Sequence, residues 1–262
     1  MKSVVFILIV LIVTPMSSAE DFQERSDWEH YFTDHGVEGT IVIIDERKGL
    51  HLVYDRERAQ KRFSPASTFK IPHALFALDT GAVKDEFQVF PWDGKKRYYE
   101  LWNRDQNLRS SMRDSVVWVY QKFALDIGEK AERDYLKKIN YGNADFSGPV
   151  QNFWLDGSLK ISAFEQTAFL QRLYRNELPF SIEHQRLVKD IMIVETGKYW
   201  ILRAKTGSYS NRNERYGWYI GWVEHPEGAV FFALNIDITK DEDTPKRIEI
   251  SKAVLRSIKS LE

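Results

Sequence analysis

Ser64-Pro65-Ala66-Ser67-Thr68-Phe69-Lys70 is the stretch on which the reading of this chain turns. Within it, Ser67 is followed three residues later by Lys70, close to one helical turn, so both side chains can share a face. A serine hydroxyl is a weak nucleophile until a base takes its proton. A lysine can be that base only if something removes its positive charge. Pro65 stands just before the helix expected from Ser67 to Leu78, which stops at Thr80-Gly81. The free amides at such a helix start can hold an oxyanion when Ser67 attacks a carbonyl.

Outward from this point the elements fall in a clear order. Ser26 to His35 reads as a short helix, and Gly39 to Asp45 and His51 to Tyr54 as two strands at hairpin distance. After the Ser67 helix, helical spacing recurs in Leu108 to Ile127, Ala131 to Ile139, Ser162 to Leu173 and Ile182 to Ile193. Strands return at Tyr199 to Lys205, Tyr216 to Glu224 and Ala229 to Ile236, and Arg247 to Leu261 closes the chain as a helix. Strands, a long helical run and strands again indicate an α+β fold rather than alternating βαβ units. The expected architecture is an antiparallel sheet built from both chain ends and flanked by terminal helices. A helical lobe is inserted at about residues 67–195, with the active site in the cleft between the two.

Composition excludes several classes. The 37 Lys and Arg nearly balance the 38 Asp and Glu among 262 residues, which leaves no electrostatic footprint for nucleic acid. The six His lie singly, without metal-ligand spacing, so no metal is expected. Lys2, the apolar run Val4 to Val13 and the small residues Ser17-Ser18-Ala19 read as an export signal, residues 1–19, cleaved after Ala19. The expected product is a soluble periplasmic domain, residues 20–262, with no membrane contact after cleavage and no cysteine for disulfides.

Two further motifs follow in chain order. Lys205-Thr206-Gly207 stands at the expected end of a strand. There Lys205 can supply a fixed cation, Thr206 can bind a substrate carboxylate, and Gly207 allows close backbone approach. The amide of Ser208 would join that of Ser67 as oxyanion donor. Ser115-Val116-Val117 places a second hydroxyl in the helical lobe, able to relay a proton to a leaving nitrogen. Any one of these matches is weak; the three in this order fit the pattern S-x-x-K, Ser-centred triplet, K-T-G.

With Tyr141-Gly142-Asn143 and Phe153-Trp154-Leu155 added, the mature chain resembles the class D serine β-lactamases, the oxacillinases, over essentially its whole length. Val116 and Val117, where class A enzymes carry Asp and Asn, favour class D. The resemblance implies hydrolysis of β-lactam antibiotics through a Ser67 acyl-enzyme, with Ser67, Lys70, Ser115 and Lys205 catalytic. It implies that Lys70 reacts with carbon dioxide to become N6-carboxylysine, the general base for acylation and deacylation. No other cofactor is expected. Phe69, Val116, Val117 and Leu155 would wall the pocket that neutralises Lys70, and Trp154 would hold a carbamate oxygen. Thr206, Gly207, Arg247, Val117, Leu155 and Tyr141 are the substrate-binding residues it implies. The surrounding sequence is similar to the carbapenem-hydrolysing branch, although the polar connection Tyr209 to Arg215 does not decide carbapenem turnover. The expected partner is the small-molecule β-lactam; a homodimer stays open. The alternative is a penicillin-sensing or penicillin-binding protein that is acylated without turnover.

Overall fold

The protein is described from a computed structural model covering residues 21–262. The expected export signal lies outside the described residues. Seven strands form one sheet in the order β1-β3-β2-β7-β6-β5-β4. They are β1 (Gln23–Glu24), β2 (Gly39–Asp45), β3 (Leu50–Tyr54), β4 (Ile193–Thr196), β5 (Ile201–Ser210), β6 (Arg215–His225) and β7 (Gly228–Asp237). Neighbours are antiparallel, except that the two-residue β1 runs parallel to β3 at one edge. Both chain ends therefore build the sheet, as expected from the order of elements.

The inner strand β2 shows why the sheet carries two cores. Its seven residues are all buried, and successive side chains point to opposite faces. Ile41 and Ile43 pack with Trp28, Phe32, Ile250, Val254 and Leu255. These come from the terminal segments, where helices α1 (Glu29–Thr33) and α9 (Lys246–Ser257) lie. Val42 and Ile44 enter the larger core shared with the inserted helices. Burial on both faces explains an unbroken apolar run where a half-exposed strand would alternate.

The helices between β3 and β4 are α2 (Arg56–Gln60), α3 (Lys70–Asp79), α4 (Leu108–Arg113), α5 (Val117–Ile127), α6 (Glu129–Lys138), α7 (Ala163–Tyr174) and α8 (Ile182–Ile191). Local chemistry sets several of their starts. Asn107 with Ser110 and Ser162 with Glu165 form reciprocal capping boxes, and Ser181 caps α8. Helix α2 was not expected from the sequence: it is five residues long and buries only Ala59.

Two expectations are corrected. The helix expected from Leu108 to Ile127 is broken between α4 and α5, where Ser115 takes φ +55°. The break has a tertiary cause. The Asp114 carbonyl accepts from the Trp102 indole at 2.9 Å, while Val116 is extended and opens α5. Lys205-Thr206-Gly207 is not at a strand end but inside β5, which continues to Ser210 because β6 pairs with it as far as Ser210–Arg215. The expected connection of residues 209–215 shrinks to the four residues 211–214.

Candidate active site

Ser67 lies in a 3-10 turn, Ala66–Phe69, that runs directly into α3. The turn is strained and firmly held. Ala66 has φ +48°, a conformation that costs a non-glycine residue about 1 kcal/mol or more. Ser64 just before it is fixed on three sides. Its amide donates to Tyr216 Oη at 2.8 Å, its carbonyl accepts from the Trp218 indole at 2.9 Å, and its hydroxyl donates to the Trp154 carbonyl at 2.9 Å. Thr68 Oγ1 donates back to the Pro65 carbonyl at 2.7 Å. The neighbouring strand comes unusually close: a methyl group at Gly207 would lie 2.9 Å from the Pro65 carbonyl and 3.1 Å from Thr68 Cγ2. Glycine at 207 thus lets β5 press against the turn that presents Ser67.

Lys70 Nζ donates to Ser67 Oγ at 3.0 Å. The lysine is fully buried, with its Nζ 5.1 Å from the Tyr120 ring centroid. Burial, and secondarily the charge of Lys205, push its pKa well below the usual lysine value. Among the described residues, no carboxylate pairs with it. Desolvation is the larger cause of that lowering; of the four residues expected to wall the pocket, Phe69 and Val116 are buried, while Val117 and Leu155 stay partly open.

Lys205 reaches from β5 to Ser115 Oγ at 3.0 Å and to the Thr206 carbonyl at 3.0 Å. Burial, then the charge of Arg247, lowers its pKa to about 7. The left-handed conformation of Ser115 is what aims its hydroxyl at Lys205 from the break between α4 and α5. Arg247, in the first turn of α9, donates through Nη1 to the Gly207 carbonyl at 3.0 Å and to Ser208 Oγ. Its own pKa falls to about 10 through burial. Gly217 makes room for it: a Cβ there would meet Ile238 Cδ1 at 2.9 Å and Arg247 Nη1 at 3.3 Å. Lys205 and Arg247, two buried basic groups with no carboxylate partner among the described residues, can together receive an anion.

Trp154 is fully buried, stacked 5.8 Å from the Phe69 ring, and its Nε1 has no acceptor among the described residues. A buried donor left unpaired in a native fold is unusual and calls for an acceptor. Tyr141 is a correction. It is 1% exposed, its ring packs on Phe69 and Phe169, and its hydroxyl faces Gln166 at 3.5 Å. Its side chain is enclosed in the core behind Phe69 rather than open to solvent. Missed from the sequence were the strain at Ala66, the Trp102–Asp114 pin and the space made by Gly217. Only Gly217, a glycine inside a strand pattern, carried a readable signal.

A serine hydroxyl hydrogen-bonded to a buried amine of lowered pKa, a second hydroxyl on a second lysine and an arginine bonded to the same strand make a site suited to acyl transfer on an anionic substrate. Residues 39–258 match the penicillin-binding-protein transpeptidase domain. The chain is 56% identical over 255 residues to β-lactamase OXA-20 of Pseudomonas aeruginosa, covering 96% of this chain and 94% of that protein. It is 46% identical over 258 residues to OXA-48 of Klebsiella pneumoniae, covering 98% and 97%. The solved class D β-lactamase FUS-1 (OXA-85) of Fusobacterium nucleatum superposes with a TM-score of 0.89 at 36% identity, over 92% of this chain and 100% of that one. Motif order, fold and likeness over nearly the full length converge: the chain belongs to the class D β-lactamases.

Proposed function

We propose that this β-lactamase works with Lys70 N-carboxylated by carbon dioxide and thereby confers antibiotic resistance from the periplasm. The observation that carries the reading is the environment of Lys70: a buried amine of lowered pKa, 3.0 Å from Ser67 Oγ, next in sequence to Phe69, on which the unpaired indole donor of Trp154 stacks. These residues fit the group. Trp154 Nε1 and Ser67 Oγ are the donors that would hold it. When present, it supplies an anionic oxygen base for both acylation and deacylation where a bare amine would be the alternative.

The chain's own residues take the remaining roles. Ser67 Oγ attacks the lactam carbonyl, and the amides of Ser67 and Ser208 receive the developing oxyanion. Ser115, held by Lys205, passes a proton to the departing ring nitrogen. Thr206 and Arg247 bind the substrate carboxylate, the guanidinium being suited to do so bidentately. Val117 and Leu155, partly open at the pocket rim, contact the substrate body.

The test is hydrolysis of a chromogenic cephalosporin by the mature protein, with and without bicarbonate, followed past one equivalent. Many turnovers, raised by bicarbonate, support the reading. Turnover indifferent to bicarbonate overturns the N-carboxylation. A single stoichiometric burst overturns turnover itself and leaves a protein that is only acylated.

A further inference from the structure

Strand β4 pairs with β5 from Ile201 to Arg203. At Lys205 and Thr206 that edge of β5 has no strand beside it among the described residues. Against it lies a cavity of about 260 Å³ whose lining includes Ala204, Lys205 and Thr206. Met112 of α4, Ile193 and Val194 of β4 and Ile248 of α9 give it apolar walls. Two further cations stand in the lining, and each has a carboxylate of its own. Arg113 donates to Asp114 through Nε at 2.9 Å and Nη2 at 3.0 Å, and Lys252 is bonded to Glu195. Beyond Lys205, therefore, the cavity offers apolar surface and balanced charge.

The backbone of β4 is bent to build it. A regular strand sends successive side chains to opposite faces, yet Ile193, Val194 and Glu195 all line this one cavity. The register between β4 and β5 shifts between Ile193 and Glu195, which pair with the adjacent residues Arg203 and Leu202. Such a bulge re-aims a side chain and is over-represented next to active sites. It leaves Ile193 38% and Val194 53% exposed, free to meet a ligand.

The order of contacts along β5 gives a substrate its direction. The Ser67 turn lies against Gly207, and Lys205 holds Ser115. A lactam with its carbonyl at Ser67 and its ring nitrogen at Ser115 runs from residue 208 back toward 204. In a bicyclic β-lactam the carbon bonded to that nitrogen bears the carboxylate, and the ring atom after it carries the next substituent. The acylamino side chain departs from the carbonyl side, the opposite way. We propose that the cavity is the subsite for the substituent next to the carboxylate-bearing carbon, that it takes bulky, uncharged apolar groups, and that Val194 is a specificity-determining residue within it. The proposal rests on the roles given above to Ser115, Thr206 and Arg247.

The test compares kcat/KM of the mature protein for two cephalosporins that share one acylamino side chain. One carries methyl beside the carboxylate-bearing carbon, the other an uncharged arylvinyl group. Val194→Asp places a carboxylate where the aryl group would cover it, and should lower the arylvinyl-to-methyl ratio of kcat/KM about tenfold or more. Val194→Thr keeps the β-branched shape and should lower the ratio about threefold, which serves if Val194→Asp does not fold. A second pair of substrates, differing only in the acylamino group, should keep the parent's ratio in both variants. A ratio unchanged for the first pair, or shifted equally for both pairs, would overturn the subsite. Arg247→Ala reports separately on the reading beneath it and should lower kcat/KM for methyl and arylvinyl substrates alike. If it lowers neither, the carboxylate contact fails, and the assignment of the cavity with it.

Discussion

Replacing Lys205 with methionine should make this enzyme more stable in mild acid while removing most of its activity. The side chain is 4% exposed, and burial beside Arg247 lowers its pKa from 10.5 to about 7. The unfolded chain keeps this proton up to its ordinary pKa, whereas the folded chain releases it near 7. The unfolded state therefore binds more protons between those values, and stability rises with pH across that window. Below pH 7 the burden is complete, about 5 kcal/mol at roughly 1.4 kcal/mol per pH unit. Methionine removes the charge at similar length. It forfeits the bonds to Ser115 Oγ and the Thr206 carbonyl, about 1 kcal/mol each, and leaves Ser115 short of a donor at about 1 kcal/mol more. The variant should thus be about 2 kcal/mol more stable than the parent at pH 6, with the advantage vanishing between about pH 8 and 9. Urea unfolding at a series of pH values measures this, and turnover of the same samples should fall about a hundredfold or more. A gain independent of pH, or no gain at pH 6, would refute the claim that a buried cation is the source.

Trp154→Phe keeps an aromatic ring against Phe69 and deletes the unpaired indole donor. Its bicarbonate requirement should rise by about tenfold to a hundredfold, the worth of one hydrogen bond to a charged acceptor, and a titration of turnover against bicarbonate checks it. Arg247→Ala should raise KM for carboxylate-bearing β-lactams by about tenfold or more while changing kcat less. A parallel loss on a substrate whose carboxylate is esterified would argue against a carboxylate contact.

Much of this architecture was legible in the residues. The bounds of β2 could be read directly, because Gly39 opens and Asp45 closes a β-branched run. The long helical insertion followed from apolar spacing. The break at Ser115 was not legible: Leu108 to Ile127 has helical periodicity throughout, and what interrupts it is an indole from Trp102, twelve residues before Asp114. The length of β5 was hidden for a similar reason, since its last residues are strand only because β6 lies beside them. Among site residues, Ser67, Lys70, Ser115 and Lys205 were found by type and order, and the structure brings them together as two hydrogen-bonded pairs. Tyr141 was misplaced because an aromatic beside a motif glycine reads the same whether it faces a cleft or a core.

The two buried lysines have a consequence for labelling chemistry. An amine attacks an electrophile only through a free lone pair, which protonation occupies. Burial of Lys70 and Lys205 leaves that pair available nearer to neutral pH than in an ordinary lysine. A small, uncharged acylating or carbamoylating reagent able to enter the cleft will therefore find intrinsically reactive amines where exposed lysines would ordinarily be the easy targets. The desolvation that prepares this site for its own chemistry also marks it for a covalent probe directed at nitrogen, independent of the serine.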